Sequence, residues 1–520
     1  MKNKFFLIIV FLAIAVRFIG LTKLPPVLNR DEAAIGWNAY SILKTGKDEH
    51  GQFLPSAFKS IGDYKMPLYI YATTIPIKLF GLNDFSIRFW SALAGVISAI
   101  AVYFITFQLF KPASLLTALL FAFNPWSIFY SRIGFEANLS LALFLAGFCL
   151  LLKSLQKTKF LYPSLILFLL SFLAYSSSLI FIPLFLIVFI FLNRKKLNQK
   201  SKYISLFIFA LASVFIFKSL WAISAQKSNI TVFSDPAIID TYNHTRTEIY
   251  NKNIFLARTW WNKNVYLARI VVKNYLKTFS PKFLLTQGGN HPWHQVPEMG
   301  NFYYLEIIFA VIGLIWLFVS KHKNLKIILF SWLLLAPLAS AITIDAPHST
   351  RSLFLLPVIL IFSGLGFAVS LKKIKSDKLI LFIIAILYIL SISSFAYRYI
   401  FLYPSQLSKS LPYGLKQAIQ LVDEKNIQEN IYLYDIQEST YLYPLIYTQF
   451  NPIDFQQNAV WTKPDSAGII NAYQFNQFTV VNDSKDIINP QAIILPSSHS
   501  YKELQPDFTF ANYQVYLPVL

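Results

Sequence analysis

The sequence predicts a polytopic α-helical membrane protein with about eleven transmembrane helices, interfacial helices in its outer loops and a small C-terminal α/β domain. Three observations predict it. The 520 residues are 55% hydrophobic and only 14% charged, with mean hydropathy +0.50, whereas soluble domains carry about 25% charged residues. Apolar runs close to the ~20 residues that cross ~30 Å of hydrocarbon recur along the chain. Lysine and arginine gather in alternate connecting loops.

The apolar runs are 4–21, 89–110, 112–128, 138–153, 160–175, 178–192, 203–224, 303–320, 325–343, 352–371 and 378–399. The first lacks a small-residue cleavage site and carries Arg17 near its far end, so it reads as a retained helix and not a removed signal peptide. Sidedness follows from the short loops. Lys2 and Lys4 precede the first run, Lys111 separates the second from the third, and Lys153, Lys157 and Lys159 separate the fourth from the fifth. Arg194, Lys195, Lys196, Lys200 and Lys202 follow the sixth, Lys321, Lys323 and Lys326 the eighth, and Lys372, Lys373, Lys375 and Lys378 the tenth. With alternating helices all these loops share one side, the cytoplasmic one. The N-terminus is then cytoplasmic, the C-terminal domain outside, and the chain a multi-pass protein of the plasma membrane.

This topology accounts for much of the formal net charge of +21. The basic residues form loop-sized clusters without a groove-sized, aromatic-interleaved patch, which excludes nucleic acid as a partner. Cys149 is the single cysteine, so no disulfide forms within the chain and no cysteine-based metal site exists. Two domains are expected: 1–400 in the membrane, with outer loops 22–88 and 225–302, and 401–520 outside it.

In the first outer loop, Ile35, Ala39, Ile42 and Leu43 recur at helical spacing beside Trp37 and Tyr40, which predicts an amphipathic helix with its rings at headgroup depth. A turn at Lys47-Asp48-Glu49-His50-Gly51 and a second interfacial helix over 67–80 follow. The second outer loop predicts a helix through Leu276, closed by Ser280-Pro281. The tail predicts a helix over 411–425 and strands at Ile431-Tyr432-Leu433-Tyr434 and Ala492-Ile493-Ile494-Leu495.

The chemistry-bearing residues lie in the outer segments. Asp31-Glu32 is an acidic pair ten residues beyond the first run. A carboxylate at a helix start is favoured by the macrodipole and can serve as a general base; the plainer role is an N-terminal cap. Glu136 stands four residues after Arg132, a spacing that allows an ion pair on one helical turn. His348 and Arg351 stand three apart before the tenth run, on one face if that segment is helical. His291-x-x-His294, with Glu298 and Asp31, is a candidate set for a divalent metal ion. His-x-x-His on a loop is unspecific, and no metal is assigned.

These residues carry a resemblance. Asp31-Glu32, Tyr64-Lys65-Met66-Pro67-Leu68-Tyr69 and Gly81-Leu82-Asn83-Asp84-Phe85-Ser86-Ile87-Arg88 resemble the first outer loop of family 39 glycosyltransferases, which belong to the GT-C membrane glycosyltransferases. That family includes protein O-mannosyltransferases and bacterial aminoarabinose transferases. The resemblance continues at Asn124-Pro125-Trp126, at Ser131-Arg132-Ile133-Gly134-Phe135-Glu136-Ala137-Asn138, at Phe279-Ser280-Pro281-Lys282-Phe283-Leu284, at Pro297-Glu298-Met299-Gly300 and at Ala346-Pro347-His348-Ser349-Thr350-Arg351. It implies a GT-C-like fold and an inverting transfer of a monosaccharide from a polyprenyl-phosphate donor to a protein, lipid or glycan acceptor at the outer leaflet. In that frame Asp31 is the base, Glu32 orients the acceptor or holds Asp31, and Glu136 is a second acid. Lys65, Arg351, His348 and Arg132 are the donor-phosphate cations, and Arg88 is a structural anchor. The simpler fate for Lys65 and Arg351 is snorkelling to the headgroups. A secondary transporter would show inverted repeats with matched helix breaks, and the sequence shows none. A membrane scaffold would have no reason to keep Asp31-Glu32, Lys65 and Arg351 on one side.

Overall fold

The computed structural model describes residues 2–196, 209–214 and 230–517, apart from 62, 211, 292, 374–376, 408–410, 428, 436–438, 465–469 and 503. Most of the seventh apolar run, 203–224, therefore lies outside the described residues, as do Lys200, Lys202 and Lys375. The chain forms two compact units: Met1–Arg17, Leu93–Ser131 and Glu136–Arg398 in the first, and Phe18–Ala92, Arg132–Phe135 and Tyr399–Leu520 in the second.

The first unit is a bundle of apolar helices. Among the described residues, five helical stretches are long and apolar enough to cross a membrane: Asp84–Phe123, Glu136–Ser154, Lys323–Ala341, Leu355–Lys373 and Lys378–Gln406, of which residues 84–92 and 399–406 are counted with the second unit. Three shorter apolar helices, Thr158–Ala174, Ser178–Leu192 and Tyr304–Val319, accompany them. The core is aromatic, with Phe144 ringed by Phe168, Phe181, Phe185, Trp332 and Phe354 at centroid distances of 5.1–5.9 Å. Helices Tyr304–Val319 and Leu355–Lys373 approach to backbone contact: a Cβ on Gly366 would stand 1.9 Å from Phe309 O, and one on Gly313 2.0 Å from Phe362 O. Small residues permit this spacing in lipid.

The run 112–128 is two helices, Ser114–Phe123 and Pro125–Ser131. Asn124 precedes a proline, which biases it to extended backbone (φ −62°, ψ 136°). Its Oδ1 then accepts from Ser127 N at 3.0 Å, capping the second helix. Arg17, fully buried, donates to the carbonyls of Phe121 and Ala122 and to Ser127 Oγ and Ser131 Oγ. It thereby satisfies groups that the break frees in a medium without water.

In the second unit, helix Arg30–Thr45 is followed by the hairpin β1 (Phe58–Ser60) and β2 (Asp63–Lys65), with Phe58 opposite Lys65, and by helix Pro67–Phe80. The tail supplies a mixed sheet of β3 (Ile431–Tyr434), β4 (Val460–Trp461), β5 (Ala472–Phe475), β6 (Phe478–Val481), β7 (Ala492–Pro496), β8 (Phe508–Phe510) and β9 (Tyr513–Tyr516). Its order is β4-β5-β6-β3-β7-β9-β8, with β3 parallel to both β6 and β7. Helix Leu415–Glu424 buries Leu415, Ala418, Ile419 and Val422, the apolar stripe of an amphipathic helix.

Helix Arg30–Thr45 departs from expectation. Trp37, expected at headgroup depth, is fully buried, edge-on to Phe455 at 5.5 Å. The tail covers this helix: Tyr443 Oη donates to Leu28 O, and Gln456 Nε2 to Ser41 Oγ and Asp48 O. In the polar turn at 47–51, Asp48 and Glu49 are likewise buried, with Glu49 accepting from Asn38 Nδ2 and Tyr441 Oη at 3.0 Å each.

Candidate active site

Asn29 caps helix Arg30–Thr45. Its side chain accepts from Glu32 N, and Glu32 Oε2 accepts from Asn29 N at 3.0 Å, a reciprocal capping box. This fixes Asp31 and Glu32 in the first turn and gives them opposite fates. Glu32 is 1% exposed. Its Oε1 accepts from Arg88 Nε and Gly134 N, both at 2.8 Å, and its Oε2 also accepts from Arg88 Nη2 at 3.3 Å. Arg88, fully buried, donates further to the carbonyls of Leu21, Pro25 and Val27 at 2.8–3.0 Å. Gly134 eases this approach: a Cβ there would stand 3.3 Å from both Glu32 Cγ and Ile87 O, closer than most such contacts.

The Asp31 side chain is 35% exposed and pairs with Lys65 Nζ at 2.5 Å. Lys65 ends β2, and Pro67 starts the next helix two residues later, so hairpin and helix start together aim the ammonium inward. It is 5% exposed, which does not fit snorkelling to headgroups. Arg132, expected among the phosphate cations, is 4% exposed. Its guanidinium donates to the carbonyls of Ile19, Gly20 and Leu24 at 2.9–3.2 Å and to Tyr399 Oη at 3.3 Å. These carbonyls lie in the reversal after the first helix, where Gly20 O also accepts from Lys23 N and Leu24 N, and Arg132 adds side-chain donors to them.

The other expected residues, Glu136, His291, His294, Glu298, His348 and Arg351, lie in the helical unit. Glu136 opens helix Glu136–Ser154, where its charge complements the macrodipole. His348 and Arg351 do not share a helical face, because the helix begins only at Leu355. They sit in a turn in which His348 Nδ1 accepts from Thr350 N at 3.2 Å, a local bond that competes with helix formation. Asp345 gathers both, its Oδ1 with Arg351 Nη1 and its Oδ2 3.5 Å from His348 Nε2. Asp345 was missed in the sequence; its signal was an acid three residues before the histidine. His291 and His294 stack at 4.2 Å, and His294 lies 4.8 Å from the His348 ring. Glu298, grouped with these histidines by spacing, instead pairs with Arg398 at 3.1 Å. Among the described residues no group of three or more His, Cys, Asp or Glu is set to hold a metal ion.

Residues 64–221 match the family model of dolichyl-phosphate-mannose-protein mannosyltransferases. No curated protein sequence matches the chain. Among solved structures, the apo oligosaccharyltransferase of Archaeoglobus fulgidus superposes with TM-score 0.53 at 13% identity, over 95% of this chain and 69% of the other. The same organism's oligosaccharyltransferase AglB, in complex with an inhibitory peptide and a dolichol-phosphate, gives 0.50 at 13% identity over 86% of this chain. This chain spans 63% of the length of that protein. ArnT from Cupriavidus metallidurans in the apo state gives 0.48 at 12% identity over 99% and 98% of the two chains. The fold is that of the GT-C membrane glycosyltransferases.

Proposed function

We propose that this chain is an inverting glycosyltransferase that moves a monosaccharide from a polyprenyl-phosphate donor to an acceptor at the outer leaflet, with Asp31 as the general base. The carrying observation is the division of labour between two adjacent carboxylates. Glu32 has both oxygens committed to buried donors, whereas the Asp31 side chain keeps a third of its surface open. A base needs a lone pair within reach of the acceptor hydroxyl, and of the two side chains only that of Asp31 is accessible. Glu32 and Arg88 hold the helix start that carries it.

Asp31 takes the acceptor's proton as the acceptor oxygen attacks the anomeric carbon; the bond to the lipid phosphate breaks on the opposite face. Lys65 occupies Asp31 in this structure, so the base works once the ammonium turns to another anion. The departing phosphate is such an anion. Arg351 and His348 are the further donor-phosphate candidates, from the resemblance and from the affinity of guanidinium for phosphate. The match of residues 64–221 to a family named for a dolichyl-phosphate sugar supports a lipid-linked donor. So does the dolichol-phosphate present in the similarly folded AglB complex. Sugar from radiolabelled polyprenyl-phosphate sugar should appear on an acceptor with wild-type protein and not with Asp31→Asn. Equal labelling by both would remove Asp31 from the chemistry.

A further inference from the structure

Between Glu248 and Glu298 the sequence contains no acidic residue and seven basic ones: Lys252, Arg258, Lys263, Arg269, Lys273, Lys277 and Lys282. The proposed transfer uses none of them, and this loop is not among those whose lysines set the sidedness. Its central helix, Lys263–Lys277, has two contrasting sides. On one, Leu267 and Asn274 are buried, Asn274 Nδ2 donates to the carbonyls of Ala341 and Thr343, and Tyr275 Oη donates to Leu334 O. On the other, residues four apart form two adjacent exposed rows. Ala268, Val272 and Leu276 make an apolar row; Arg269, Lys273 and Lys277 make a cationic row beside it. The apolar exposure continues upstream through Phe255 and Trp260, and the Arg269 guanidinium lies 5.4 and 5.2 Å from the rings of Trp260 and Trp261.

Exposed apolar residues alone would fit any hydrophobic neighbour. A parallel row of cations in an acid-free stretch of 49 residues narrows the partner to an anionic one with an apolar layer beneath it. We propose that helix Lys263–Lys277 is a docking surface for anionic phospholipid headgroups, with Val272 and Leu276 entering the acyl boundary and Arg269, Lys273 and Lys277 contacting phosphates. Trp260 and Trp261 extend the contact as interfacial anchors. The inference rests on the helical unit alone and holds whether or not Asp31 is the base.

The test uses the full chain in lipid nanodiscs, with an environment-sensitive fluorophore on Val272→Cys in a Cys149→Ser background. Quenching by spin-labelled lipid is compared between discs of phosphatidylcholine and discs containing phosphatidylglycerol. The expected result is at least twofold stronger quenching with phosphatidylglycerol, reduced by salt, and lost when Arg269, Lys273 and Lys277 are all replaced by Gln. Each cation near an anionic surface is worth roughly fivefold in partitioning, so the triple variant gives ample range. Equal quenching in both lipids would reduce the helix to a neutral interfacial segment. Absence of quenching in both would mean that water or protein covers the row. Signal change that tracks protein concentration would assign the row to a second copy. Each of these three results overturns the proposal. The first comparison needs no charge variant, so misfolding of the triple variant does not rescue it.

Discussion

Replacing Glu32 by Gln separates a structural role from a chemical one. The substitution is nearly isosteric, and the amide oxygen can keep the two 2.8 Å bonds from Arg88 Nε and Gly134 N. The other carboxylate oxygen faces two donors, Asn29 N and Arg88 Nη2, and an amide NH2 placed there sets donor against donor. The variant thus loses two of four hydrogen bonds and the charge that neutralises a fully buried guanidinium. Breaking a buried pair from one side costs about 3–5 kcal/mol, a large share of the 5–15 kcal/mol that typically holds a domain. Denaturant unfolding of the detergent-solubilised protein should show a loss on that scale, with Arg88→Ala at least as damaging because three carbonyls lose their donor as well. A Glu32→Gln protein that unfolds at the wild-type midpoint yet transfers a hundredfold more slowly would instead make Glu32 a chemical participant.

Lys65→Ala and Arg351→Ala should each weaken binding of polyprenyl phosphate by about 1.5–3 kcal/mol, the range for hydrogen bonds to charged groups; titration calorimetry reads this, and unchanged affinity in both would remove them from the donor site. Burial pushes the Asp48 carboxyl above its ordinary value, against the backbone N–H of Gln52, which lowers it. A raised acid contributes stability that is full below its unfolded pKa and is lost as pH rises through the folded one. Asp48→Asn should therefore gain on wild type in thermal stability as pH rises from about 3 to 7, and a gain confined to low pH would contradict the burial argument. Reporter fusions after Lys202 and after Leu520 should give opposite signals if the basic loops are cytoplasmic; matching signals would overturn that topology.

Legibility in the sequence followed interaction range. Helix Pro67–Phe80 is read to the residue because its signals are local: Pro67 at the first helical position and Gly81 after the last. Strand Ile431–Tyr434 is read equally well from a β-branched and aromatic run. The burial of Trp37 was not legible, because the residue that covers it, Phe455, lies over 400 positions downstream. Asp31 and Glu32 look interchangeable as a dipeptide. What divides them is Arg88, 56 residues away, and Gly134, 102 residues away. The turn at His348 hid for a different reason: helical spacing between His348 and Arg351 is real in the sequence, but the imidazole captures backbone N–H groups that a helix would need.

Single-turnover transfer at saturating donor, comparing Asp31→Asn with Glu136→Gln, decides whether Asp31 is the base. Asp31→Asn should bind polyprenyl phosphate and unfold close to wild type while the transfer rate falls by ~10²-fold or more, the usual scale for a lost general base. Glu136→Gln should retain most of the rate. Normal turnover by Asp31→Asn together with abolished transfer by Glu136→Gln would move the base to the start of helix Glu136–Ser154.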